Sequence, residues 1–213
     1  MKLFNYIYLV AFVFILAGCS EDASLTLKDA ELTGNEEILF SAIAKETYLF
    51  DLEGTIPQGT EMTVGVDYYE FGELSEENQL FGVSRAIDEE SEYTDDYQKL
   101  FIMMEEQEYS SNVMLDVILN TENGSYSTYG SELEGINLQD RAYSSGSIFL
   151  EEEDLDEIIL TNETINEKQY IARYIISADN SFRSFDLEHA TQPNQDYEFL
   201  YLFYVQLQDI DEN

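Results

Sequence analysis

The chain carries one thiol, one imidazole and a large excess of carboxylates. Cys19 stands in "FVFILAGCSED", where an apolar run stops and acidic residues begin. With no second cysteine it forms no internal disulfide, and a single thiol does not make a metal cluster. His189 falls in a predicted turn just past a strand, with no G-x-S-x-G serine to activate. No H-E-x-x-H, Walker or G-x-G-x-x-G spacing occurs. Carboxylates are too many for any two to be singled out as an acid–base pair, and the separation a glycosidase needs is a matter of tertiary geometry. Catalytic, cofactor-binding and metal residues are therefore all predicted as none.

Calcium is the cation whose chemistry fits best, since it takes six to eight oxygen ligands. Asp88-Glu89-Glu90, Asp95-Asp96, Glu151 to Asp154 and the pair Asp209 and Asp211 are the oxygen-rich stretches. None reads D-x-[DN]-x-[DN]-G, so a solvated acidic loop is the simpler reading and weak calcium contact the alternative. The chain has 16 tyrosines and no tryptophan. Tyrosine is favoured at recognition surfaces because it offers area and a polar tip together, although strand cores take most tyrosines.

The first eighteen residues have the parts of an export signal. Lys2 gives a positive start, "LFNYIYLVAFVFIL" an apolar run, and Ala17-Gly18 a small-residue exit. The run is shorter than the roughly 20 residues a permanent membrane-spanning helix needs. Leu16-Ala17-Gly18-Cys19 resembles the lipobox of bacterial lipoproteins. The resemblance implies that the Cys19 sulfur takes a diacylglyceryl group and that Cys19 becomes the new N-terminus. Two acyl chains suffice for stable anchoring. Residues 1–18 are thus expected as a lipoprotein signal peptide and 19–24 as a lipidated N-terminus with a short tether. An uncleaved anchor holding an incidental cysteine is the alternative.

Charge limits the partners. The 45 Asp and Glu against 9 Lys and Arg give a net charge of −36. A nucleic-acid backbone is bound by Lys and Arg that release its counterions, so no nucleic-acid partner is expected. Anionic headgroups repel the domain as well. Hydrophobic content of 44% is nonetheless too high for a disordered chain.

Strand patterns dominate from Leu25 onward. "TEMTVGVDYYEF" alternates Met62, Val64, Val66 and Tyr68 with Thr63, Gly65, Asp67 and Tyr69, which predicts a half-buried strand. "VMLDVILN" (113–120) and "YIARYIIS" (170–177) are β-branched runs of strand length, and "YEFLYLFYVQLQ" (197–208) is apolar enough for a central strand. Further strands are predicted at about 37–44, 47–53, 79–86, 98–105, 147–151, 156–161 and 182–188. Turns are expected at "PQG", "ENG", "SSG", "ADN" and "TQPN", and exposed loops over 88–96 and 121–146. No segment sustains a helical period over three turns. The predicted fold is all-β and mainly antiparallel, a β-sandwich over residues 25–209 with an immunoglobulin-like arrangement as one form. Two subdomains flanking the 121–146 loop are an alternative, and 210–213 is a tail.

"FDLEGTIPQGTEMTVGVDYYEF" from Phe50 and "FDLEHATQPNQDYEFLYLFYV" from Phe185 share an opening, a proline and an aromatic-rich strand. They read as two similar hairpins in opposing sheets, or as chance repetition. The stretches "YLFDLEGTIPQGTEMTVGVDYYEFGEL" and "ADNSFRSFDLE…YEFLYLFYVQL" also resemble small lipoproteins of Gram-positive cell envelopes. That resemblance implies an extracytoplasmic, membrane-held protein, and it carries over no functional residue besides Cys19. The expected function is a non-enzymatic interaction or structural module with an envelope protein or polysaccharide partner. A calcium-binding surface protein and a carboxylate-based hydrolase are the alternatives.

Overall fold

Alternating burial is clearest in "VMLDVILNT", where every second residue is buried and its neighbours are half-exposed. β-Branched and aliphatic side chains at period two leave such a segment one way to bury its apolar set, as a strand with one face inward. The computed structural model describes residues 23–30, 32–84, 97–106, 113–133, 142–148, 156–177, 185–193 and 196–210. Among these, strands are β1 (Leu25–Asp29), β2 (Glu46–Gly54), β3 (Thr60–Glu70), β4 (Glu73–Ser84), β5 (Tyr97–Glu106) and β6 (Val113–Thr121). They continue as β7 (Gly124–Leu133), β8 (Tyr143–Ser147), β9 (Ile158–Leu160), β10 (Gln169–Ser177) and β11 (Tyr197–Asp209), with helices α1 (Gly34–Ile43) and α2 (Leu187–Ala190).

The strands pair antiparallel in two sheets, ordered β7-β6-β5-β2-β1-β9 and β4-β3-β11-β10-β8. The fold is an all-β sandwich. One core draws on both sheets, with Leu27, Phe50, Ile102 and Leu115 from one facing Val64, Tyr201, Phe203 and Val205 from the other. Fully burying each large apolar side chain contributes about 1.5–3 kcal/mol, and this shared core makes the two sheets interdependent.

The five-stranded sheet is also covered on its outer face. Tyr69, Ile175, Leu200 and Leu202 form a second cluster with Ile148, Tyr197 and Ala190, and Phe185 and Leu187 pack against it. β11 is accordingly the central strand its continuous apolar sequence predicts. β3 departs from expectation, because Thr63 and Asp67 on its second face are buried as well. Tertiary cover, which a single strand's alternation does not report, accounts for the difference.

Other expectations are corrected. Residues 34–43 form α1 where a strand over 37–44 is predicted. Glu, Leu and Ala favour helix, and Phe40 anchors the helix by packing its ring 5.7 Å from that of Phe101. Ile38 and Leu39 stay exposed, so no long apolar stripe marks the helix. The loop expected over 121–146 contains β7 and the start of β8. β8 ends at Ser147, where a strand is predicted to begin, and residues 149–151 lie outside the described residues. β4 starts at Glu73, earlier than the predicted 79. Of the strand predicted at 182–188, residues 182–184 lie outside the described residues, and 187–188 instead open the α2 turn, capped by the Asp186 carboxylate accepting from the His189 N–H. The paired Phe-Asp-Leu-Glu segments also differ: Phe50 lies within β2, whereas Phe185 precedes α2. The strands that follow them, β3 and β11, are neighbours in one sheet rather than members of opposing sheets.

Candidate functional site

Two places gather polar chemistry with tertiary structure around it. The first is on the outer face of the β3-β11-β10 sheet. Asp67 is only 1% exposed. Lys168 Nζ donates to Asp67 Oδ1 at 2.8 Å and Oδ2 at 3.0 Å, and the Tyr170 hydroxyl donates to Oδ2 at 2.8 Å. Lys168 also lies 3.2 Å from Glu77 and 4.5 Å above the centre of the Tyr204 ring. Burial works against the Lys168 charge, but the hydrogen bond and charge of Asp67, with help from Glu77, outweigh it and hold the ammonium above its ordinary pKa. Burial pushes the Tyr170 phenol up, and hydrogen bonds with Tyr69 and Asp67 add to the shift.

Gly65 completes the arrangement. The Tyr204 ring lies over it, and a Cβ at this position would collide with the ring carbons and hydroxyl. Each partner of Asp67 is therefore held in place by a neighbour. A carboxylate so engaged ties the start of β10 to β3 across β11. That is a packing role, and nothing in the geometry opens the carboxylate to a substrate.

The second place is β7, an edge strand. It reads "GSYSTYGSEL" and carries a single charged residue, Glu132, in ten. The other long edge, β4, carries Glu73, Glu76 and Glu77. Charges of that kind keep an edge from pairing with foreign strands. β7 enters from a two-residue turn at Glu122 and Asn123, where the Asn123 N–H donates to Thr121 Oγ1 at 3.3 Å. Thr128 and Tyr126 pair across from the buried Val117 and Leu119 of β6. The register then slips between Leu115 and Val117, and Gly130 takes a left-handed φ of 73°. The Gly130 N–H donates to Asp116 Oδ1 at 2.7 Å, which fixes the bulge. Beside it, Tyr129 is 67% exposed. Among the described tyrosines, Tyr126, Tyr129 and Tyr143 are the exposed ones, so two of three lie on this strand.

The residues singled out from sequence are not brought together. Cys19 lies outside the described residues, as do the acidic stretches 88–90, 95–96 and 151–154 and Asp211. Asp209 ends β11 on the surface. His189 is exposed, with Nε2 3.4 Å from Asp196 Oδ2. Among the described residues no group of three or more His, Cys, Asp or Glu is arranged to hold a metal ion, and no helix is long and apolar enough to cross a membrane. Sequence reasoning missed Asp67, whose partner Lys168 is 101 residues away. It also missed β7 as a strand, because glycine and serine are poor strand formers.

A family model described as the YgaN domain matches residues 26–207. Searches of the curated proteins and of the solved structures find no match.

Proposed function

The chain belongs to the YgaN domain family, and we propose that this member is a lipid-anchored binding module of the cell envelope, with β7 as its contact strand and no catalytic role. The observation that carries the reading is an exposed, nearly uncharged tyrosine–serine strand on a chain of net charge −36. Tyrosine supplies large contact area with few rotors to order, and serine and glycine supply adaptable hydrogen bonding. A solubilising surface has no need of two exposed tyrosines on one edge.

Cys19, at the end of its lipobox-like sequence, supplies the anchor on the extracytoplasmic side. Five residues separate it from Leu25, so the six steps between them reach about 20 Å when extended. The register Leu25↔Gly54, Asp51↔Lys99, Lys99↔Asn120 and Thr121↔Gly124 puts the start of β1 and the start of β7 at one end of the sandwich. β7 then runs away from the membrane, with its length presented to the envelope beyond.

Two measurements test the proposal. Cys19→Ala is expected to leave the precursor unlipidated and unprocessed, and normal membrane retention of that variant would remove the anchor. Isolated cell-wall polymer and envelope protein fractions should retain the wild type and lose the Tyr126→Ser, Tyr129→Ser double variant by about tenfold. Equal retention of both would remove β7 as the contact strand.

A further inference from the structure

We infer that the tip of the β3-β4 hairpin takes an arginine-bearing segment of another protein, with the guanidinium stacked on the Phe71 ring and forked onto the carboxylates beside it. This surface is separate from β7 and does not depend on the β7 reading. Three observations carry it.

The first is a residue kept at a cost to the fold. Phe71 holds a left-handed φ of 49°, a conformation that bulky side chains rarely adopt. Such outliers persist where the surroundings impose them, and they gather at ligand clamps and other functional sites. Here the Phe71 N–H donates to the Glu198 carbonyl at 3.0 Å, which fastens the turn to β11. The ring is nonetheless 40% exposed, so only part of its burial is there to offset the strain. Leu74 is 48% exposed and pairs across the hairpin with the buried Tyr69. A fastened turn that presents an aromatic ring is a preorganised anchor for a partner.

The second is like charge set face to face. Glu70 and Glu73 are direct partners across the hairpin, an arrangement that destabilises a sheet. Tyr68, two residues back on the Glu70 face, has Glu76 as its partner, and its hydroxyl donates to Glu70 Oε1 at 3.1 Å. Burial first, and then Glu70, Glu76 and Glu198, push the Tyr68 phenol above its ordinary pKa, so these three carboxylates converge on one end of the strand pair. Guarding an edge accounts for glutamates along β4. It calls for neither a carboxylate opposite Glu73 nor a phenylalanine in the turn.

The third is the chemistry that answers both. The planar guanidinium of arginine stacks on an aromatic face and forks onto a carboxylate, whereas the ammonium of lysine is a compact point charge. A cation held here also relieves the repulsion between Glu70 and Glu73, and a leucine next to the arginine packs on Leu74. The net charge of −36 draws such a segment in, and it opposes anionic headgroups and a second copy of this chain. Strand geometry agrees. Gly54 pairs with Leu25, residues 55–59 lead to Thr60, and β3 then runs eleven residues to Glu70, about 35 Å. The tip therefore lies at the end of β3 away from the start of β1 and from the anchor proposed at Cys19.

The test uses the full-length protein in nanodiscs of neutral lipid, in about 0.15 M sodium chloride. The probes are the peptides GRLGRLGRLG and GKLGKLGKLG, which carry equal charge. Binding is followed by titration, and hydrogen exchange locates it. The arginine peptide should bind about tenfold more tightly than the lysine peptide and slow exchange over residues 68–76. Phe71→Asn should bind the arginine peptide about tenfold more weakly while its Tm rises, so that lost binding is not lost folding. Phe71→Leu keeps an apolar side chain without the ring, and it should erase the preference for arginine.

Equal binding of the two peptides would overturn the inference, and so would arginine binding indifferent to Phe71→Asn, since net charge alone would then suffice. Slowed exchange confined to residues 124–133 would overturn it in favour of β7. If neither peptide binds, the hairpin tip is no contact surface for such a segment, and the β7 reading stands or falls on its own test.

Discussion

Asp67→Asn removes the charge from the buried carboxylate at the centre of the outer-face cluster and keeps its shape. Asp67 accepts two hydrogen bonds from Lys168 and one from Tyr170. Hydrogen bonds to charged groups contribute about 1.5–3 kcal/mol net, and breaking a buried ion pair costs about 3–5 kcal/mol. The Lys168 side chain is 23% exposed and keeps Glu77 at 3.2 Å, so part of its charge remains solvated and paired. The expected loss is therefore below the full range, at about 2–3 kcal/mol. For a chain of this size that is a fall in Tm of about 4–12 °C. Urea unfolding of residues 20–213 measures it, and a cycle with Lys168→Met separates pairing from packing. The double variant should be more stable than the sum of the single losses predicts by about 1 kcal/mol or more. An Asp67→Asn loss under about 0.5 kcal/mol, or strict additivity in the cycle, would refute the account of this cluster as a coupled lock.

Alkaline pH should unfold the domain. The folded pKa values of Tyr48, Tyr170, Tyr201 and Tyr204 are raised above the ordinary 10.0, chiefly by burial, and that of Lys168 above 10.5. A raised folded pKa gives stability that is present below the unfolded value and lost as pH rises past it. Unfolding should therefore begin above pH 10 with tyrosinate absorbance rising in step, and free titration of all tyrosines in a folded domain would contradict this. Phe71 occupies a left-handed φ of 49° before Gly72 at 79°, in the two-residue turn between β3 and β4. Such turns favour Asn-Gly, so Phe71→Asn should stabilise the domain by about 1 kcal/mol in urea unfolding, and a loss would show that Phe71 packing outweighs its backbone strain. Sodium chloride should raise the Tm by screening carboxylate repulsion, and equal small gains from calcium and magnesium in low salt would mark that effect as diffuse.

The sequence alone determined that most of this chain is strand. Val113 to Thr121 and Tyr197 to Gln208 were legible because side-chain alternation and continuous apolar runs are local properties, written where the strand lies. It also determined the negative surface and the setting of Cys19. What it did not contain was the cover on each element. Asp67 alternates like a solvent-facing residue, and only the pairing of β3, β11 and β10 sets it beside Lys168 and Tyr170. "GSYSTYGSEL" has the composition of a loop. It becomes a strand because the two-residue turn at Glu122 and Asn123 folds it back along β6, whose buried Val117 and Leu119 fix the register. Strand pairing lends order from one segment to another, so a stretch with weak propensity takes the conformation of its neighbour. That exchange occurs between residues far apart in the chain, which is why tertiary structure alone decided both the lock at Asp67 and the strand conformation of β7.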